Sequence, residues 1–258
     1  LFSVQASAIL GRMDGIVLTA LVLKAVDYNE NDKLVSLLTP DRGTILAALR
    51  GVKKATAKMK FAAQPFCFAE FVLSERSGRY VVTNCSEIES FYDLRTDLAK
   101  YYAASVVAEA AGVLSQENQA DLPLFLSVVQ ALKSLRDGKI PALVLCRFLL
   151  SALQNAGFGL QLQVCAECGS KTTKPGMDYT RGGIVCAQCT TSETFFPSPA
   201  VWNALRMTDQ TPADRLHTLR FQPAVLQGCL RILQGAFSYN VQPLKTLPEA
   251  LRMLAENP

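Results

Sequence analysis

Cys165-Ala166-Glu167-Cys168 and Cys186-Ala187-Gln188-Cys189 are two C-x2-C pairs with seventeen residues between them. In each pair the spacing turns both sulfurs toward one point, and a spacer of this length folds back as a hairpin that brings the pairs together around one cation. Zinc is the expected ion. Four thiolates fill its tetrahedral shell and leave no position for water or substrate, so the metal is expected to hold the chain together and not to do chemistry. A rubredoxin-like iron site uses similar knuckles, and a metal-free cluster of thiols could stand in the same place. Gly169, directly after Cys168, is expected to let the backbone turn and offer its N–H groups to sulfur. The other four cysteines, Cys67, Cys85, Cys146 and Cys229, sit singly among apolar residues and read as small buried hydrophobes.

The second constellation is basic. "RGVKKATAKMK" supplies Arg50, Lys53, Lys54, Lys58 and Lys60 without an acid among them, and Arg76 and Arg79 flank a later turn. A lysine run can be an ordinary solvated loop. Beside a small β-barrel, the same charges would form a groove that tracks a nucleic-acid backbone. Catalytic chemistry has little to draw on. The one histidine, His217 in "ADRLHTLRF", has no recognisable partner, and no P-loop, G-x-G-x-x-G or G-x-S-x-G is present. The chain is therefore read as not an enzyme.

These residues need elements to position them. From Met13 to about residue 90, "IVLTALVLKAV", "LVSLLT", "TILAAL", "FCFAEFVLS" and "YVVTNCSEI" are β-rich runs separated by the turn signals "NEND", "PDRG" and "ERSG". Five strands in about eighty residues suit a small barrel. The long basic connection between the third and fourth strands suits an OB-type barrel. From about Phe91 the period becomes helical. Thr96 or Asp97 caps a first helix with Tyr102, Val106, Ala110 and Val113 on one face; Asp121 caps a second that stops near Gly138; Pro141 opens a third that Gly157 ends. Helical signals resume at Ala200–Arg206, Pro223–Tyr239 and Pro248–Leu254, so the cysteine segment looks inserted within a helical domain.

The fold class expected is α+β: an N-terminal OB-type β-barrel followed by a helical domain with an inserted four-cysteine zinc module. The units are 1–12, a leader ahead of a native start at Met13; 13–90, the OB-type DNA-binding barrel; 91–160, the first part of the helical domain; 161–192, the zinc module; and 193–258, the second helical part. With 258 residues, half of them apolar, the chain can bury such cores. A net charge of +4 is small, so where the positive charge sits matters more than its amount. Eight cysteines in a long chain without a secretory leader point to a reducing compartment. No transmembrane helix is expected, since "LPLFLSVVQAL" and "ALVLCRFLLSAL" are too short to span a bilayer.

Three stretches together carry a resemblance: "DYNENDKLVSLLTPDRGTILAALRGVKK", "QPFCFAEFVLSERSGRYVVTNCSEIESFYDLRTDL", and "LCRFLLSALQNAGFGLQLQVCAECG" with its knuckle directly after a leucine-rich helix. In these and in the order of its parts the chain resembles the RecO family of bacterial recombination mediators, over essentially all of its length after Met13. The resemblance implies a non-enzymatic cytoplasmic, nucleoid-associated repair factor. It would bind single- and double-stranded DNA and anneal complementary strands. With RecR it would load the RecA recombinase onto strands coated by single-stranded DNA-binding protein. It also implies that the acidic, Phe-ended tail of that coating protein docks on the helical domain. In the family the helix before the cysteines commonly has an Arg before an aromatic residue, and Arg147-Phe148 matches that position. An Arg on an apolar helix could capture a C-terminal carboxylate, or it could reach the surface or pair with an internal carboxylate. Two other functions stay open from the residues alone: a zinc-containing, sequence-specific DNA-binding regulator, and a protein-only interaction scaffold.

Overall fold

The computed structural model describes residues 15–256. The leader expected over residues 1–12 and the start at Met13 lie outside the described residues. Five strands, β1 (Ile16–Asp27), β2 (Lys33–Thr39), β3 (Gly43–Leu49), β4 (Phe68–Arg76) and β5 (Arg79–Glu89), close into a barrel in the order β1-β2-β3-β5-β4. Strand β1 is long because it is shared. Its first half pairs with β4, from Ile16↔Leu73 to Leu21↔Phe68, and its second half with β2, from Leu21↔Leu38 to Asp27↔Lys33. A parallel contact between β3 and β5, Ala47↔Tyr80 and Ala48↔Val81, completes the ring and leaves no long free edge.

Alternation along the strands builds two cores at once. Ala20, Val22, Val35, Leu37, Ile45, Ala47, Leu49, Phe71 and Leu73 fill the barrel, and Ala62 and Ala63 of a short 3-10 turn (Lys60–Ala63) close one end. Leu21, Leu23 and Leu38 carry the other parity and join the core of the helices. Phe66 and Phe91 seal that junction from left-handed backbone, φ 68° and 48°, both buried. Such backbone costs about 1–3 kcal/mol per residue, which burial of a phenylalanine ring at about 1.5–3 kcal/mol offsets.

Three helices follow: α1 (Leu98–Leu114), α2 (Leu122–Arg136) and α3 (Pro141–Asn155). Asp97 and Asp121 accept the N–H of Lys100 and Leu124 as N-caps, Pro141 sits in the first turn of α3, and Gly138 and Gly157 take positive φ just past two helix ends. Helix α1 buries more than the face of Tyr102, Val106, Ala110 and Val113. Ala99, Ala103, Ala104, Val107, Ala108 and Ala111 are buried as well, because α2, α3, α6 (Leu247–Glu256) and β1 surround the helix. Small alanines let those neighbours approach from several sides. A hairpin of β6 (Gly176–Asp178) and β7 (Gly183–Val185) then interrupts the helices, before α4 (Pro199–Gln210), α5 (Pro223–Asn240) and α6. Helix α4 runs four residues beyond the expected Arg206, and a 3-10 segment over Ala213–Thr218 lies where no element was expected.

Candidate functional site

The four cysteines of the paired motif converge at the base of the β6–β7 hairpin, their sulfurs all within 4.8 Å of one another. Cys168 and Cys186 Sγ are 3.8 Å apart. Zn–S bonds of about 2.3 Å set the edges of a tetrahedral site at about 3.8 Å, so the donor set fits zinc in type and spacing. The knuckles are built by local backbone bonds. Gly169, at φ +71°, turns the chain and donates its N–H to the Cys165 carbonyl at 2.8 Å; Cys189 N–H likewise reaches the Cys186 carbonyl at 3.0 Å. The Gly169 N–H itself goes to oxygen, while the Cys165 sulfur is served by the N–H groups of its neighbour Cys168 and of Cys186, the latter at 3.3 Å.

At Cys165 and Cys186 these dipoles favour the sulfur anion. The backbone N–H of Cys168, opposed by burial and helped by that of Cys186, brings the Cys165 thiol down to about 6. The N–H of Gln188 leads in lowering Cys186. Hydrogen bonds to the Cys168 and Cys186 sulfurs push Cys189 up to about 12. Anionic sulfur held at tetrahedral spacing is what a zinc ion binds, and with four protein ligands the shell is closed. In the same hairpin, Asp178 is fully buried at the end of β6. Burial alone would raise its carboxyl, but the hydroxyls of Thr180, Thr191 and Thr194 and the Thr180 N–H bring it down to about 2.

The remaining cysteines are not single in space. Cys146 on α3 faces Cys229 on α5, and Cys67 is close enough to Cys85 for their charges to interact. Burial pushes Cys67 and Cys85 up to about 12 and Cys146 well upward, so all three stay as inert thiols.

Arg50, Lys53, Lys54, Lys58 and Lys60 are all exposed on the turn-rich connection between β3 and β4. Arg76 and Arg79, also exposed, are cross-strand partners at the β4–β5 tip. The parallel register Ala47↔Tyr80 sets Arg79 beside Leu46, an exposed leucine on β3. Arg50 lies four residues beyond Leu46, about 13 Å at strand rise. Both basic groups are thus exposed, one on the β3–β4 connection and the other at the β4–β5 tip.

Sequence proximity missed what opposes them. The Gly51 N–H donates to Asp32 Oδ1 at 2.7 Å, the Lys53 N–H to the Asn31 carbonyl at 3.1 Å, and Lys53 Nζ to Asp27 Oδ2 at 3.0 Å. The β1–β2 turn thus clips the basic connection in place with two carboxylates, and Asp27 holds Lys33 as well as Lys53 at the rim. Asp27 and Asp32 are 24 and 19 positions before Gly51, and nothing local in the chain marks the pairing.

Arg147 is partly buried on α3. Its Nε has no hydrogen-bond partner, and it forms no ion pair among the described residues; Asp209, whose carboxyl burial pushes up, feels its charge from α4. Arg147 and Phe148 line a cavity of about 70 Å³ with Ser127, Gln130, Ser151 and Leu216. A larger cavity of about 450 Å³ shares its Val144 and Leu216 walls and carries Lys139, His217 and Arg220 at its border. His217, exposed, has Nδ1 2.9 Å from the Asp214 carbonyl. No helix among the described residues is long and apolar enough to cross a membrane.

Comparison with known proteins bears on this arrangement. A family model described as "Recombination protein O N terminal" matches residues 13–91, and one described as "Recombination protein O C terminal" matches residues 95–248. A DNA repair protein RecO of Clostridium novyi is 29% identical over 228 residues, 87% of this chain and 89% of that protein. A DNA repair protein RecO of Desulfitobacterium hafniense is 32% identical over 225 residues, 83% of this chain and 81% of that one. Another from Anaeromyxobacter is 35% identical over 181 residues, 69% and 71% of the two chains.

Proposed function

This chain belongs to the recombination protein O family of DNA repair proteins, and from that premise we propose that it is a non-enzymatic recombination mediator. In this reading it binds single- and double-stranded DNA, anneals complementary strands, and acts with RecR to load RecA onto strands coated by single-stranded DNA-binding protein. It works in the bacterial cytoplasm at the nucleoid. The observation that carries the reading is a closed five-stranded barrel that exposes Arg50, Lys53, Lys54, Lys58 and Lys60 on its β3–β4 connection and Arg76 and Arg79 at its β4–β5 tip. Phosphates met by such charges position a strand without reading its sequence, as annealing requires. One zinc on Cys165, Cys168, Cys186 and Cys189 supplies structure: it ties the hairpin's two ends together. The units of the proposal are the barrel over 13–90, the helical parts over 91–160 and 193–258, and the zinc module over 161–192.

The helical domain is the proposed dock for the coating protein's tail. Arg147, with an unpartnered Nε beside Phe148, suits a terminal carboxylate next to an aromatic ring, and the neighbouring cavity's Lys139, His217 and Arg220 suit acidic residues upstream of it. Annealing of complementary strands, assayed with and without the coating protein, tests the whole reading. Annealing in both conditions is expected; failure on coated strands alone would remove the mediator role. Arg147→Ala should weaken tail-peptide binding by about 1.5–3 kcal/mol while naked-DNA binding persists. Sequence-selective DNA binding would favour a regulator instead, and absence of DNA binding a scaffold.

A further inference from the structure

Asp27, the last residue of β1, and Lys33, the first of β2, are cross-strand partners. The Asp27 carboxylate has Oδ1 3.7 Å from Lys33 Nζ and Oδ2 3.0 Å from Lys53 Nζ, so two ammonium groups converge on it from different elements. The side chains of Lys33 and Lys53 are 30% and 35% exposed, whereas that of Asp27 is 64% exposed. The lysine stems are therefore packed against the barrel rim while the anion between their heads faces solvent. Lys33 is fixed by strand register, and Lys53 by its N–H bond to the Asn31 carbonyl. To an ammonium pair a carboxylate and a phosphodiester look alike: two acceptor oxygens sharing one negative charge.

Resting on the DNA-binding reading above, we propose that Lys33 and Lys53 form a phosphate subsite for the nucleic-acid backbone, and that Asp27 fills it in the free protein as a competitor the strand displaces. Exposed ion pairs hold weakly, so displacement costs little and leaves the lysines positioned. While Asp27 stays, its charge faces the incoming phosphate at close range and opposes it.

Asp32, five residues away, has a different task. Its Oδ1 accepts the Gly51 N–H at 2.7 Å and its Oδ2 the Asn29 amide at 3.2 Å, with Gly51 in left-handed backbone at φ +64°. This carboxylate shapes the connection that presents Arg50, Lys53 and Lys54. The two neighbouring acids thus affect DNA binding in opposite senses, which mere removal of negative charge does not predict.

The test is equilibrium binding of a fluorescent oligothymidylate strand across a salt series, on the full chain. Asp27→Asn should tighten binding severalfold at low salt and make the log–log salt slope steeper by about 0.7 for each lysine released, up to about 1.4. Asp32→Ala should weaken binding. Lys33→Ala should cost more in the Asp27→Asn background than in the parent, because only there is Lys33 fully available to phosphate. If Asp27→Asn binds no tighter, or both acid variants move the same way, while the parent still depends on Lys53 and Lys54, the subsite is refuted and the DNA-binding reading stands. If Lys53→Ala with Lys54→Ala leaves parent binding unchanged, the basic connection is not the DNA site and the subsite falls with it.

Discussion

Replacing Cys186 with Ser removes one of four sulfurs that lie at zinc spacing, and a structural zinc site that loses a ligand gives up much of the metal's contribution to folding. The parent is expected to hold one zinc per chain by elemental analysis, and Cys186→Ser to lose metal and solubility together; no metal, or stoichiometric iron, in the parent would overturn the zinc assignment. Asp178, in the same hairpin, makes a pH prediction. Its carboxyl is brought from the ordinary 3.8 down to about 2 in the folded chain by three threonine hydroxyls and one N–H, against the opposing effect of burial. A depressed acid stabilises the fold above its unfolded value, and that contribution fades as pH falls from about 4 toward 2. Asp178→Asn should lower stability at pH 7 by about 1.5–3 kcal/mol, the scale of hydrogen bonds to a charged group. The gap between parent and variant should close in acid. Thermal unfolding of both proteins across pH reads this directly, since loss of metal in acid is common to the pair. A gap that stays constant down to pH 2 would show that Asp178 does not act through its charge.

The connection between β3 and β4 is an element defined by its charges and by the turn that clips it. If Arg50, Lys53, Lys54, Lys58 and Lys60 each meet one phosphate of a single strand, counterion release gives a salt slope of about −3.5, from 0.7 for each of five contacts. If Lys53 stays with Asp27 the slope is about −2.8, from four. Lys53→Ala with Lys54→Ala should make the slope shallower by up to about 1.4 and weaken all sequences alike. An unchanged slope and affinity would move the site toward Lys33, Arg42, Arg76 and Arg79. Among the helices, much was legible beforehand. Asp97, Asp121, Pro141, Gly138 and Gly157 mark helix ends in the sequence because caps and stops act over one turn of chain. The burial of α1 on several sides was not legible, because an alanine carries no sign of which neighbour will cover it.

At the scale of the molecule, barrel and helices meet where the β2–β3 turn touches the α1–α2 connection. Gly43, at φ +59°, pairs across an isolated bridge with Glu117; a Cβ there would lie 1.9 Å from the Gln116 carbonyl oxygen and 2.7 Å from that of Gln119. Backbone oxygens cannot rotate away, so Gly43→Ala should lower the unfolding temperature by more than about 5 °C and raise hydrogen exchange around Gln116–Gln119. Gly138→Ala is the control. Its φ is +76° with open space around the new Cβ, so only backbone strain is added and about 1 kcal/mol is expected. Equal effects from the two substitutions would mean that the barrel contact contributes nothing. The sequence by itself determined the five strands, the ends of the first three helices, the insertion of the hairpin and the four sulfurs of one site. Alternation, capping and C-x2-C spacing are short-range signals, written within a few residues of where they act. Only the tertiary structure decided that Cys146 faces Cys229, that Leu21 and Leu38 serve the helical core and not the barrel, and that Asp27 gathers Lys33 and Lys53. Each of these joins elements through barrel closure or helix packing, and a contact made by closure depends on register and approach, which no local run of residues encodes.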